Sequence, residues 1–321
     1  MKILDKILHR SPLSVGDFES VFDKIEIPAL PAATTLLLAE ATKEEADLKK
    51  VEQIISTSQS LSAKVLRLIN SPLYSLPNKI SSVFHAINML GMNRVREIAL
   101  ALAMVEGLPR PKKEYFDHEA FWADSLLRAL FARSFARIHD PSRSDEAFTS
   151  MLLADVAVPV LIRCWEEEYE PVLQQWAAGE GRLDEIERET FKWDHAQAGA
   201  WILRKWNFPE SMVDLVAAHT LSLDEVEEME IADTLALPMA VASQGPSVLL
   251  PDVMRAKRMM DAATRAFGLS QSDLRQLVFT LQVELEESRE LFEIDAAKTF
   301  NQFMAYIAAL NMEKAVEEVR G

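Results

Sequence analysis

The chain has 321 residues, 49% of them apolar and 26% charged, with 9 glycines and 13 methionines. That apolar share excludes a disordered chain and is enough for the core of one large domain or two ordinary ones. A formal charge of −16 counts against general binding to nucleic acid or anionic membranes, because neutralising phosphates takes a basic face.

Leu, Ala, Glu and Met dominate, a helix-forming mix, and no Asn-Gly or Asp-Gly turn joins two alternating runs. The expected fold class is therefore all-α. The single cysteine, Cys164, excludes an internal disulfide framework and reads as a buried packing thiol in VLIRCW. The opening MKILDKILHRSPLS has charges in every apolar stretch, so no signal peptide is expected. No continuous apolar run approaches the ~18 residues of a membrane span, the best being Ile98 to Val105. The default location is cytoplasmic and reducing.

In chain order, residues 1–19 form a lead-in. Pro31 in IPALP suits the first turn of a helix over Ala32 to Ala41. Asp47 to Thr57 is amphipathic, with Leu48, Val51, Ile54 and Ile55 on one face. Ser60 to Ile69 carries the stripe Leu61, Val65, Leu68 and Ile69, and Pro72 ends it. Ser81 or Ser82 caps the next helix, which Gly91 stops, and Asn93 starts an apolar helix that ends before Pro109. Phe116 to Ile138 reads as one long helix with Trp122, Leu126, Leu130 and Phe131 inward. Ser144 is the expected cap of a helix holding MLLADVA, residues 151–157. Shorter helices are expected between Trp165 and Glu189. Asp194 caps a helix from His195 to Trp206, Pro209 opens one that reaches His219, Ser270 and Ser272 are caps for one through Glu286, and a last helix covers Thr299 to Val319. Arg94 to Arg96 and Arg255 to Arg258 are local basic pieces that read as solvated helix faces.

These segments carry a resemblance. IPALP, LRLINSPLY, ISSVFHAINMLGMNRVREIAL, FWADS, MLLADVA, DHAQAGAWILRKWNFPE and AAHT, in that order, resemble the HDOD domain. That family is a non-enzymatic offshoot of the HD and HD-GYP phosphohydrolases and occurs in bacterial signalling proteins. The resemblance implies a multi-helical HDOD domain over residues 20–222 and a helical C-terminal extension over 223–321.

It also implies where an ancestral metal would have sat. Ala154 stands at the histidine of the His-Asp pair, Asp124 at another histidine position, and Thr220 at the second of two adjacent histidines. An alanine methyl donates no lone pair. Asp155, His195 and His219 remain, so Asp124, Asp155, His195 and His219 are vestigial pocket residues. Asp233, the nearest candidate for a distal ligand, reads as solvated.

Asn70 reads as a helix terminator or as a polar contact for a partner, and Asn70, Ser71 and Tyr74 are the candidate interaction residues. The expectation is a non-catalytic regulatory module with no cofactor and no metal. It would act through other signalling proteins, not through nucleic acid or membrane. The alternatives are a degenerate pocket that senses a nucleotide or cyclic dinucleotide, and a residual metal-dependent phosphohydrolase.

Overall fold

The computed structural model describes residues 3–10, 27–41, 47–71, 74, 76–111, 116–245 and 253–292, with no β-strand among them. Most of the 1–19 lead-in, Leu73, Pro246 and the helix expected over Thr299 to Val319 lie outside those residues.

A first helix, α1 (Ile3–Arg10), precedes five that share one layer: α2 (Ala32–Ala41), α3 (Leu48–Thr57), α4 (Gln59–Ile69), α5 (Val83–Leu90) and α6 (Met92–Gly107). Their ends follow the sequence signals. Asp47, Ser58 and Ser82 accept hydrogen bonds from the amides of Lys49, Leu61 and His85, and Gly91, at φ 88°, separates α5 from α6.

The long helix α7 (His118–His139) is the centre of the fold. It is followed by α8 (Ser144–Leu152), α9 (Ala157–Cys164), α10 (Glu166–Ala177), α11 (Leu183–Phe191), α12 (His195–Lys205) and α13 (Glu210–Ala218). Then come α14 (Leu223–Glu228), α15 (Ala236–Ser243), α16 (Val253–Phe267) and α17 (Gln271–Phe292). Helix α7 packs against α8, α15, α16 and α17, which explains why Leu126, Leu130, Phe131 and Phe135 have no exposure at all. Each such side chain contributes roughly 1.5–3 kcal/mol of burial. The N-terminal layer joins this core through α6 on α8 and α4 on α17, while α1 lies along α13.

Three expectations need correction. MLLADVA is not one helix: α8 ends at Leu152, residues 153–156 form a turn, and α9 begins at Ala157. Pro159 is the reason, because it has no N–H to offer residue 155 and its ring clashes with that residue's carbonyl in a continuous helix. The backbone bonds here run over three residues instead: Ala154 N to Met151 O, Val156 N to Leu153 O and Val158 N to Asp155 O, at 3.1, 3.0 and 2.9 Å. Ser144 lies inside α8, because a 3₁₀ turn at Pro141–Arg143, capped by Asp140, leads into that helix. Cys164, at the end of α9, is partly exposed rather than buried.

One stretch, Pro141–Cys164, is apolar and long enough to cross a membrane by composition, once its isolated charges are tolerated; its mean hydropathy is 1.7. The break at 153–156 divides it into two helices, and 89% of its apolar window is buried inside the protein.

Candidate functional site

The turn at 153–156 places the Asp155 carboxylate between α7, α12 and the end of α13. Capping fixes the start of α12: Asp194 accepts from the Gln197 amide at 3.0 Å, and the Gln197 side chain accepts from the Asp194 amide at 3.1 Å. His195 is therefore held at the first helical position. His219 follows α13 and turns its Nδ1–H to the Val216 carbonyl at 2.7 Å.

Three donor atoms converge here. Asp155 Oδ1 lies 3.1 Å from His219 Nε2 and 3.3 Å from His195 Nε2, and the two Nε2 atoms are 3.2 Å apart. Behind His195, Glu187 on α11 accepts from its Nδ1 at 2.6 Å and from its amide at 2.7 Å, and Tyr169 donates its hydroxyl to the other Glu187 oxygen. The second oxygen of Asp155 receives the Arg128 guanidinium from α7.

The charges close on themselves. Burial alone would raise the Asp155 carboxyl, but Arg128, with His195 and His219, holds it well below the carboxylate range. Burial also opposes the His195 imidazolium, yet Glu187 and then Asp155 raise its pKa well above the ordinary value. Burial also raises the Glu187 carboxyl, against His195 and Tyr169, so Glu187 and His195 hold one proton between them while Arg128 balances Asp155.

The resemblance drawn from the sequence implies an ancestral metal, and the donor spacing fits one. Ligands about 2.0–2.1 Å from a tetrahedral ion stand about 3.3–3.4 Å apart. The Glu187 and Val216 anchors on the two Nδ1 atoms are of the kind that orient metal-binding histidines. The charge does not fit: Arg128 already neutralises Asp155, and Ala154 offers no donor beside it.

The vestigial residues expected from the sequence are largely brought together. Asp155, His195 and His219 form the donor group. Asp124 is buried and lines the same cleft, one turn before Arg128, but stands outside that group. Asp233 is exposed and lines no part of the cleft. Thr220 bonds Asp194 and Arg188, each at 3.0 Å.

Of the candidate interaction residues, Asn70 and Ser71 are hydrogen-bonded within the chain, whereas the buried Tyr74 hydroxyl has no hydrogen-bond partner among the described residues. Asn70 donates to the carbonyls of Leu66 and Ile80 at 2.7 and 2.8 Å and accepts from the Ile80 amide at 2.6 Å. The Ser71 hydroxyl donates to Leu68 O at 2.7 Å, and Arg133 lies 4.7 Å over the Tyr74 ring. Asn70 and Ser71 therefore serve the fold, closing the end of α4.

Sequence reasoning missed Glu187 and Arg128. The signal was a charge on a buried stripe: Glu187 lies four residues after Leu183, and Arg128 follows Phe121 and Asp124 at helical spacing. The reading of Arg255 as a solvated helix face is also corrected, because Arg255 lines the cleft and is only partly exposed.

Comparison with known proteins agrees with this architecture. A protein of Shewanella amazonensis SB2B, named provisionally as a phosphohydrolase, has a similar structure: TM-score 0.65 at 23% identity, covering 88% of this chain and 99% of that one. An HDOD domain protein of Geobacter sulfurreducens aligns with TM-score 0.63 at 21% identity, covering 85% and 96%. A Marinobacter aquaeolei VT8 protein, named provisionally for signal transduction, aligns with TM-score 0.57 at 17% identity, covering 87% and 61%. These likenesses show the fold. Among curated sequences, YuxH of Bacillus subtilis (strain 168) is 31% identical over 101 residues, which is 32% of this chain and 24% of YuxH. A Treponema pallidum (strain Nichols) protein is 20% identical over 204 residues, 62% of this chain and 39% of that protein. The chain thus matches well under half the length of these curated relatives. Residues 27–221 match the HDOD domain, more than half of the sequence, and the chain belongs to the HDOD family.

Proposed function

We propose that this chain is a non-catalytic, cytoplasmic module of bacterial signal transduction that regulates a partner protein. Family membership and the likeness to a Marinobacter protein named for signal transduction fit a regulatory role. The observation that carries the non-catalytic reading is the contact between Arg128 and Asp155. A metal hydrolase needs its carboxylate for the metal, an open coordination position and an activated water. Here a fixed cation occupies one oxygen of that carboxylate, Oδ2, and neutralises the charge that would hold an ion at Oδ1. The partner is a protein, and Phe84 and Met89, which lie together on α5, are among the exposed apolar side chains available for contact, with Leu36, Ile138 and Phe279 exposed elsewhere.

The test is elemental analysis of the purified full chain, with turnover assays on cyclic di-GMP and on a generic phosphodiester in added manganese or iron. The expected result is less than stoichiometric metal and no turnover. Cross-linking in cells should return one partner protein whose yield falls in Phe84→Ser and Met89→Ser. Stoichiometric metal with turnover abolished by chelation would overturn the reading.

A further inference from the structure

The cleft beside the donor group contrasts electrically with the rest of the chain. The protein carries −16 overall, yet this cleft is lined by Arg128, Arg182, Arg255 and Arg258 against only three aspartates, Asp124, Asp155 and Asp184. All three aspartates are already engaged, Asp155 and Asp184 by arginines of the cleft itself. Arg128 holds Asp155, and Arg182 forks onto Asp184 with contacts of 2.9 and 3.3 Å.

Arg255 differs from these. Among the described residues no carboxylate lies within ion-pair distance of it, although it is only partly exposed. Burial first, then the neighbouring charges of Arg128 and Arg182, push its pKa below the usual guanidinium value, while Asp124 works the other way. A guanidinium in partial burial beside like charges is costly unless an anion reaches it. Neutral polar groups also line the cleft: the Thr220 and Ser243 hydroxyls donate within the chain, to Asp194 and the Ala240 carbonyl, and Gln244 accepts from Arg182 through its oxygen and keeps its amide N–H groups as donors. Arg255 and Arg258 lie on α16, beyond the family-matched residues 27–221, whereas Arg128 and Arg182 lie within them.

We infer that this cleft binds a small phosphorylated anion, gripped between Arg255 of the C-terminal extension and Arg128 and Arg182 of the HDOD domain. The arginines do what a metal does in hydrolytic relatives, namely hold phosphoryl oxygens, without activating water. A ligand so placed ties α16 to the domain, so its binding is legible as order in that helix. The inference deepens the non-catalytic reading of the pocket and depends on it for the ligand's remaining intact.

The experiment is calorimetry on the full chain at low salt with three probes: inorganic phosphate, guanosine monophosphate and cyclic di-GMP. Hydrogen exchange of Val253–Phe267 is followed in parallel. At least one probe should bind with a sub-millimolar Kd and slow exchange in that helix. Arg255→Gln should weaken it at least tenfold, and Arg255→Gln/Arg258→Gln further, while the thermal melt of apo Arg255→Gln should be no lower than the parent's. Arg265→Gln, which removes an exposed arginine paired with Asp224 and Glu227, should bind as the parent does. Preference among the probes separates free phosphate, a phosphomonoester and a phosphodiester as the source, and each of these supports the site. Binding by none of them, or equal binding by the double variant, overturns it. Either result leaves the turnover and metal assays untouched, and a bound probe that is hydrolysed overturns the non-catalytic reading and not the site.

Discussion

His195 and His219 hold their Nε2 atoms 3.2 Å apart while both Nδ1 atoms are committed, to Glu187 and to the Val216 carbonyl. Two imidazole lone pairs and a carboxylate oxygen cannot share that space without a positive charge between them. On the metal-free reading proposed above, the His195 proton supplies that charge, and the Arg128 guanidinium balances Asp155 from its other oxygen, Oδ2.

Arg128 is therefore the residue whose removal changes the chemistry. Arg128→Met leaves Asp155 short of its cation in a buried setting, and the expected loss is about 3–5 kcal/mol. The same change opens the carboxylate to an ion, so zinc should restore part of that stability and bind the variant at least tenfold more tightly than the parent. Urea melts with and without zinc, with metal titration, measure both effects. No gain in zinc affinity would show that the guanidinium does not block the donors.

Glu97 on α6 makes stability depend on pH in the direction opposite to an ordinary surface carboxylate. Burial, followed by the charge of Glu146, raises its pKa from the ordinary 4.5 to about 7; Asp145 adds to the rise, and Arg96 and Arg94 oppose it. The folded chain thus holds this proton more tightly than the unfolded one. Its contribution is fully present below about pH 4.5 and is lost as pH rises through 7. Glu97→Gln should be stabilised by about 1–2 kcal/mol at pH 8, after allowing for solvent screening, and nearly unchanged at pH 5. Thermal melts across that range decide it, and an equal effect at both pH values would contradict it.

Asn70 clasps the Ile80 backbone across the loop between α4 and α5. Asn70→Ala leaves the Ile80 amide and two carbonyls without that partner, at an expected cost of about 1–3 kcal/mol. The urea midpoint should fall with an unchanged slope. A variant as stable as the parent, defective only in partner binding, would return Asn70 to the role of a contact residue.

Gly107 ends α6 against Pro31, where an added Cβ would meet Pro31 Cγ at 2.2 Å. A proline ring has little freedom to move aside, so Gly107→Ala should cost about 1–3 kcal/mol despite the better helix propensity of alanine. A stabilised variant in denaturant melts would show that the start of α2 yields.

Much of this was legible in the sequence because it is local. Caps at Asp47, Ser82 and Asp194 fix helix starts through groups two or three residues away, and the apolar stripes of α3 and α4 fix their buried faces. Asp155, His195 and His219 were found because a motif order survives in them. What the sequence hid depends on how helices are turned against one another: Glu187 reaches His195 from the helix just before it, Arg128 reaches Asp155 27 residues along the chain, and Arg255 reaches the cleft from α16, beyond the matched domain. The break after Leu152 lay between these cases. Pro159 announced it, but the run of apolar residues around it read as continuous helix.

The guanidinium on Asp155 has one more consequence, for how durable this architecture is. Sites built around an ion fall apart when acid titrates their ligands or a chelator removes the ion. A side chain tethered to α7 cannot diffuse away, and arginine keeps its charge throughout the range in which proteins live. On the non-catalytic reading proposed above, the central cluster needs no mineral supply, and a bath of EDTA should leave its melting curve where it was.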